Sequence, residues 1–284
     1  MKKAINRWAF PGAWSLTEGI AAAVHHGFGG LELTLEEKGD LSMDTTPDQA
    51  ARVAESVRAA GLEIPSLATG LHWTRSLSSP DETERQAGLQ VVRQQMRLAA
   101  AMDVHHILVV PGAVDVFFLP NRPWVPYETA WQKSQRSLLV LADEAEAQKI
   151  VICLENVWNR FLLSPLEFCR FVDEIDSLLV RVYFDVGNVF QFGHPADWIR
   201  ILGSRISRVH VKDFKRSVGT PAGFCDLEEG EIDWAGVMTA LREIRYDGWI
   251  TAELFPGKGV NPDEFLARTS ASMDRILALG SSGQ

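Results

Sequence analysis

Cysteine is scarce in this chain and badly spaced for covalent cross-linking. The three, Cys153, Cys169 and Cys225, form no C-x-x-C pair, and an odd count leaves no complete disulfide framework. A reducing, cytoplasmic setting is the expectation. Long apolar runs are missing as well: none reaches the roughly 18 consecutive residues of a membrane-spanning helix. The opening MKKAINRWAFPG lacks the apolar segment and small-residue cleavage site of an export signal. The chain therefore reads as soluble and unexported, with no membrane partner. Basic residues are outnumbered, 28 Lys and Arg against 37 Asp and Glu, for a net charge of −9. That deficit disfavours a nucleic-acid partner, because non-specific affinity comes mainly from cations neutralising phosphates; a small anionic substrate stays open. No low-complexity linker interrupts the chain, and no glycine fingerprint follows an early strand, since GFGG at 27–30 precedes its strand. A doubly wound nucleotide-binding sheet thereby loses its main support.

What is present is alternation. Of the 284 residues 46% are hydrophobic and 23% charged, an ordinary globular balance. Eight apolar, β-branched runs recur, at about 3–10, 30–35, 62–68, 105–112, 150–156, 180–187, 206–213 and 248–255. Helical periodicity fills the intervals, as in Trp234, Val237, Met238, Leu241 and Ile244, or Leu138, Leu141, Ala142 and Ala145. Four helix starts share one grammar: TPDQ at 46–49, SPDE at 79–82, SPLE at 164–167 and NPDE at 261–264. Each offers a capping side chain, then proline, then Glu or Gln at the third helical position. Eight βα units without a composition break predict an α/β protein, a single (β/α)8 TIM barrel over residues 1–284. Helix-to-strand links are short, whereas strand-to-helix links run to roughly twenty residues between Phe214 and Ile232, well beyond the usual length. Extra chain has gathered at the C-terminal ends of the strands, where barrel enzymes keep their chemistry.

At those ends the last four strands each carry a ligand-type side chain: Glu155 in CLEN, Asp185 in YFDVGN, His210 in RVHVKD and Glu253 in TAEL. Neighbouring strands in a barrel bring such groups together. Three converging carboxylates repel one another and lose hydration unless a cation neutralises them. Oxygen-rich coordination with one imidazole suits a single divalent metal ion, Mn²⁺ by preference, with Mg²⁺, Co²⁺ or Zn²⁺ as alternatives. Gly187 reads as the residue that permits a sharp exit from the sixth strand.

The motifs LENVWNRF, YFDVGN, VHVKD and AEL, in this order, resemble the xylose isomerase-like barrels of sugar isomerases and epimerases. The stretches DVGN, RISRVHVKD, GF…EGEIDW and YDGWITAE are most similar to L-xylulose-5-phosphate 3-epimerase and hexulose-6-phosphate isomerase-like proteins. The resemblance implies that Glu155, Asp185, His210 and Glu253 hold the metal, with Glu155 and Glu253 also acting as the acid/base pair. It implies a metal-dependent ketose or ketose-phosphate 3-epimerase or isomerase that works by proton transfer through a stabilised enediolate. Epimerases of free ketoses generally have a histidine three residues after the metal-binding aspartate and a glutamate soon after NRF. Here Asn188 and Leu162–Leu163 stand instead, which turns the expectation towards a phosphorylated ketose.

Other substrate-binding candidates come from position alone. Lys212 shares a strand face with His210, and suits either a substrate oxygen or an ion pair with a neighbouring acid. His72 and Arg75 follow the third strand, and Trp8 and Trp14 suit the apolar face of a sugar. Cys153 reads as packing, and His25 and His26 lie at the opposite end with no role. Competing readings are a hydroxypyruvate-type isomerase, an inosose-type dehydratase, a DNA-repair endonuclease, which needs more histidines and a basic groove, and a non-catalytic sugar-binding barrel. A homo-oligomer is compatible with the sequence and not specified by it.

Overall fold

The structure, a computed structural model, describes residues 1–257 and 259–279. Eight parallel strands form its centre: β1 Lys2–Asn6, β2 Gly30–Glu36, β3 Leu67–Thr69, β4 His106–Val109, β5 Val151–Glu155, β6 Val180–Asp185, β7 Ile206–Val211 and β8 Trp249–Ala252. They pair in the order β1-β8-β7-β6-β5-β4-β3-β2, and β1 pairs with β2 as well, which closes the sheet into a (β/α)8 barrel. The helices between them are α1 Leu16–His25, α2 Pro47–Ala59, α3 Glu82–Ala101, α4 Tyr127–Gln148, α5 Pro165–Asp173, the short α6 Val186–Phe190, α7 Pro195–Leu202, α8 Trp234–Glu243 and α9 Pro262–Ala278.

Backbone contacts divide the chain into two compact units. One comprises Met1–Leu33, Glu55–Pro65 and the chain from Phe184 onward. In it, β1 runs beside β8 with Ile5 opposite Ala252, and beside β2 with Asn6 opposite Glu32. The face of α8 expected to be apolar is buried at Trp234, Val237, Met238 and Leu241. The other unit comprises Thr34–Ala54 and Ser66–Tyr183. There β4, β5 and β6 pair in register, Leu108 with Cys153 and Glu155 with Tyr183. Leu138, Leu141, Ala142 and Ala145 of α4 are buried, and Trp131, Phe161 and Phe171 pack edge to face at 4.9–6.3 Å between centroids. Each fully buried large apolar side chain removes enough surface from water to contribute roughly 1.5–3 kcal/mol.

Three of the four capping motifs form as read. Ser164 accepts from the Glu167 amide, Asn261 from those of Asp263 and Glu264, and Thr46 and Gln49 cap one another reciprocally. The fourth is displaced: α3 starts at Glu82 with Asp81 as its cap, while the Ser79 hydroxyl donates to Glu84. Asp81 wins because its carboxylate reaches two orphan amides, those of Thr83 and Glu84. The third strand is also shorter than the run at 62–68. Pro65 has no amide to donate, and before Leu67 the pairing with β2 is a single bridge between Glu63 and Gly30.

The long segment after β7 is held by one buried acid. Asp213 accepts from the amides of Phe214, Glu228 and Ile232 and from the indole of Trp234. A two-residue hairpin pairs Phe214 with Phe224, and a Cβ on Gly230 would collide with the Asp213 carboxylate. This accounts for the D and the EGEIDW of the sequence motifs as loop architecture.

Candidate active site and metal centre

Glu155 and Asp185 are the last residues of β5 and β6, His210 is the penultimate residue of β7, and Glu253 follows β8 directly. All four are buried, and one ligand atom from each lies within 4.8 Å of the others. Such burial of three acids requires compensation, and part of it is built in. Lys212 Nζ lies 2.8 Å from Asp185 Oδ2, makes a short contact with Glu253 Oε2, and sits 5.3 Å from the centre of the Phe224 ring. Of the two readings of Lys212, the ion pair is the one the side chain makes.

Asp185 is doubly used. It caps α6, accepting from the Asn188 amide at 2.7 Å through Oδ1, while Oδ2 faces Lys212. The chain turns from β6 straight into α6, so Gly187 is demanded by space rather than by a special turn. A Cβ there would lie 2.5 Å from Lys212 Cγ and 2.7 Å from its carbonyl oxygen. Burial pushes the Asp185 carboxyl up, against the pull of Lys212. Burial acts on Glu253 in the same direction, but the Lys212 ammonium, by its charge and its hydrogen bond, holds it below the usual carboxylate range. Two neighbouring acids are thus driven apart in acidity.

The residue that sequence reasoning missed is Glu32. It is fully buried in β2, its Oε2 lies 2.8 Å from His210 Nε2, and it accepts from the Asn6 amide group. The available signal was an acid in the middle of the otherwise apolar run GLELTL. With Glu155, Asp185 and Glu253 it makes four buried carboxylates against the Lys212 ammonium, a formal −4 + 1 = −3 with His210 neutral. A divalent cation would offset most of that charge. The donor set fits one: ligands about 2.1 Å from an octahedral ion lie roughly 3.0 Å apart when adjacent and 4.2 Å when opposite, inside the 4.8 Å span.

The remaining candidates make contacts of their own. His72 is 3% exposed, in the turn after β3, and among the described residues neither ring nitrogen meets hydrogen-bond geometry. Burial pulls its pKa down to about 4, slightly opposed by the nearby Arg75 backbone and Gln95 side chain. Arg75 pairs with Glu37. Trp8 stacks on the exposed Phe255 at 6.0 Å and 21°. Trp14 packs against Phe10, and its carbonyl accepts from Arg7. A second group, His25, His26 and Asp263, is largely exposed, with His26 Nε2 2.9 Å from Asp263.

Comparison with known proteins agrees with this fold. The putative L-ribulose-5-phosphate 3-epimerase SgbU of Escherichia coli K12 is 25% identical over 255 residues, 87% of this chain and 86% of that protein. Among solved structures, D-psicose 3-epimerase crystallised with D-fructose superposes with a TM-score of 0.80 at 20% identity, over 99% of this chain and all of that one. The IolI protein with a bound zinc atom gives 0.81 at 16% identity, with both chains fully covered. The family profile described as the xylose isomerase-like TIM barrel matches residues 20–275, and the chain belongs to that family.

Proposed function

We propose that this protein is an isomerase, a divalent-metal-dependent 3-epimerase of a ketose or ketose phosphate. The observation that carries the reading is the buried Glu155, Asp185, His210 and Glu253 group, with its two glutamates on non-neighbouring strands β5 and β8. Epimerisation at C3 needs the proton removed from one face and returned to the other. Glu155 and Glu253 act as that pair. Glu253, held ionised by Lys212, is ready to accept a proton; Glu155 completes the opposite transfer. Asp185 and His210 serve as ligands, with Mn²⁺ preferred. When bound, the ion supplies electrophilic stabilisation of the negative charge that develops on the ketose oxygens.

Trp8 with Phe255 forms an apolar wall suited to a sugar ring or chain. Asn188 and Leu162–Leu163 favour a phosphorylated ketose, as does the name of the Escherichia coli relative. Cys153, Cys169 and Cys225 form no disulfide among the described residues, where no helix is long and apolar enough to cross a membrane. With an odd number of cysteines and no C-x-x-C pair, we take the enzyme to be cytoplasmic. The test is product analysis by ¹³C NMR with Mn²⁺-loaded protein and a panel of ketoses and ketose phosphates. An inverted C3 supports the reading, an aldose product moves it to aldose–ketose isomerisation, and no conversion of any pentulose or hexulose phosphate sinks it.

A further inference from the structure

The imidazole of His210 lies between two carboxylates: Nε2 is 2.8 Å from Glu32 Oε2, and Nδ1 is 3.6 Å from Glu253 Oε2. Glu32 is held from behind by Asn6, its register partner on β1. The orientation of the Asn6 amide is set independently, because its Oδ1 accepts the Trp8 amide at 2.7 Å, so the amide nitrogen is the group that donates to Glu32.

We infer that Glu32 is a positioning residue that locks His210 in the Nε2–H tautomer and leaves Nδ1 as its metal-binding nitrogen. An ionised carboxylate only accepts hydrogen bonds. Glu32 Oε2 therefore takes a proton donor from His210 as well as from Asn6, and the neutral ring keeps its lone pair on Nδ1, the nitrogen on the Glu253 side. The inference rests on the metal reading above, and it assigns work to a residue two strands removed from any ligand in the β8-β1-β2 order. Carboxylates placed behind a ligating imidazole orient it and raise its basicity, and losing one typically weakens metal binding about 10–100-fold.

Two readouts test it, and neither uses a sugar. Long-range ¹⁵N–¹H NMR of the metal-free wild type, with the resonance assigned through His210→Gln, is expected to show His210 as the Nε2–H form. Calorimetric titration with Mn²⁺ is expected to give roughly 10–100-fold weaker binding for Glu32→Gln, with an unchanged circular dichroism spectrum. An Nδ1–H tautomer in the wild type overturns the inference, as does Mn²⁺ affinity in Glu32→Gln within twofold of wild type. If Glu32→Gln does not fold, the wild-type tautomer decides alone. Failure of the epimerase reading would appear as absent turnover with both readouts intact, whereas failure of the inference would appear in the readouts whatever the turnover.

Discussion

His72 offers a prediction whose size can be worked out in advance. Its ring is buried, neither nitrogen meets hydrogen-bond geometry among the described residues, and burial lowers its pKa from 6.5 to about 4. The folded state therefore binds fewer protons than the unfolded state between these two values. Stability contributed by the neutral ring is fully present above pH 6.5 and is lost as pH falls towards 4. At about 1.36 kcal/mol per pKa unit, the loss attributable to this one group is about 1 kcal/mol at pH 6, 2 at pH 5 and 3 at pH 4. Other acids titrate in this range, so the informative quantity is the difference between wild type and His72→Leu. Urea unfolding at pH 7.5, 6, 5 and 4 should show the variant gaining on the wild type by these amounts as pH falls. A difference that stays flat with pH would refute the reasoning, and an ionisation near 6.5 in the kcat/KM profile that vanishes in the variant would restore His72 as a substrate contact.

Further outcomes follow from single contacts. Glu253→Gln should lower turnover by about 10²–10⁴, the usual worth of a positioned acid or base, measured at saturating Mn²⁺ while circular dichroism stays unchanged. Phe171→Ala, which empties a site between Trp131 and Phe161, should cost about 3–5 kcal/mol in urea unfolding. Gly230→Ala forces a Cβ onto the Asp213 carboxylate and to 2.6 Å from the Phe214 amide. A loss of about 1–3 kcal/mol is expected, with faster proteolysis within residues 214–232.

The barrel was legible because each βα unit announces itself locally: β-branched runs, capping motifs with proline, and long links on one side only. The convergence of Glu155, Asp185, His210 and Glu253 was legible for a related reason, since a ligand-type residue at the end of an apolar run stands out. Glu32 did not stand out as a site residue, although it is equally buried. Strands covered on both faces lose the two-residue alternation that would assign a side chain to the interior, so an acid inside GLELTL carries no direction. Lys212 was left between two roles because the choice depends on distances set by β6 and β8. The cap of α3 and the short β3 turned on competition between neighbours, Asp81 against Ser79 and Pro65 against the ladder, which spacing alone does not rank. The burial of His72 was not legible from its position after the third strand, because a loop residue's burial is decided by what packs over it.

The central claim is that two carboxylates work on opposite faces of one carbon. Its most direct test is solvent deuterium exchange at C3 with Glu155→Gln and Glu253→Gln, each saturated with Mn²⁺ and each offered both C3 epimers of the substrate separately. The account predicts that neither variant converts one epimer into the other, and that each exchanges the C3 proton of a different epimer. Exchange of the same epimer by both variants, or continued conversion by either, would contradict it.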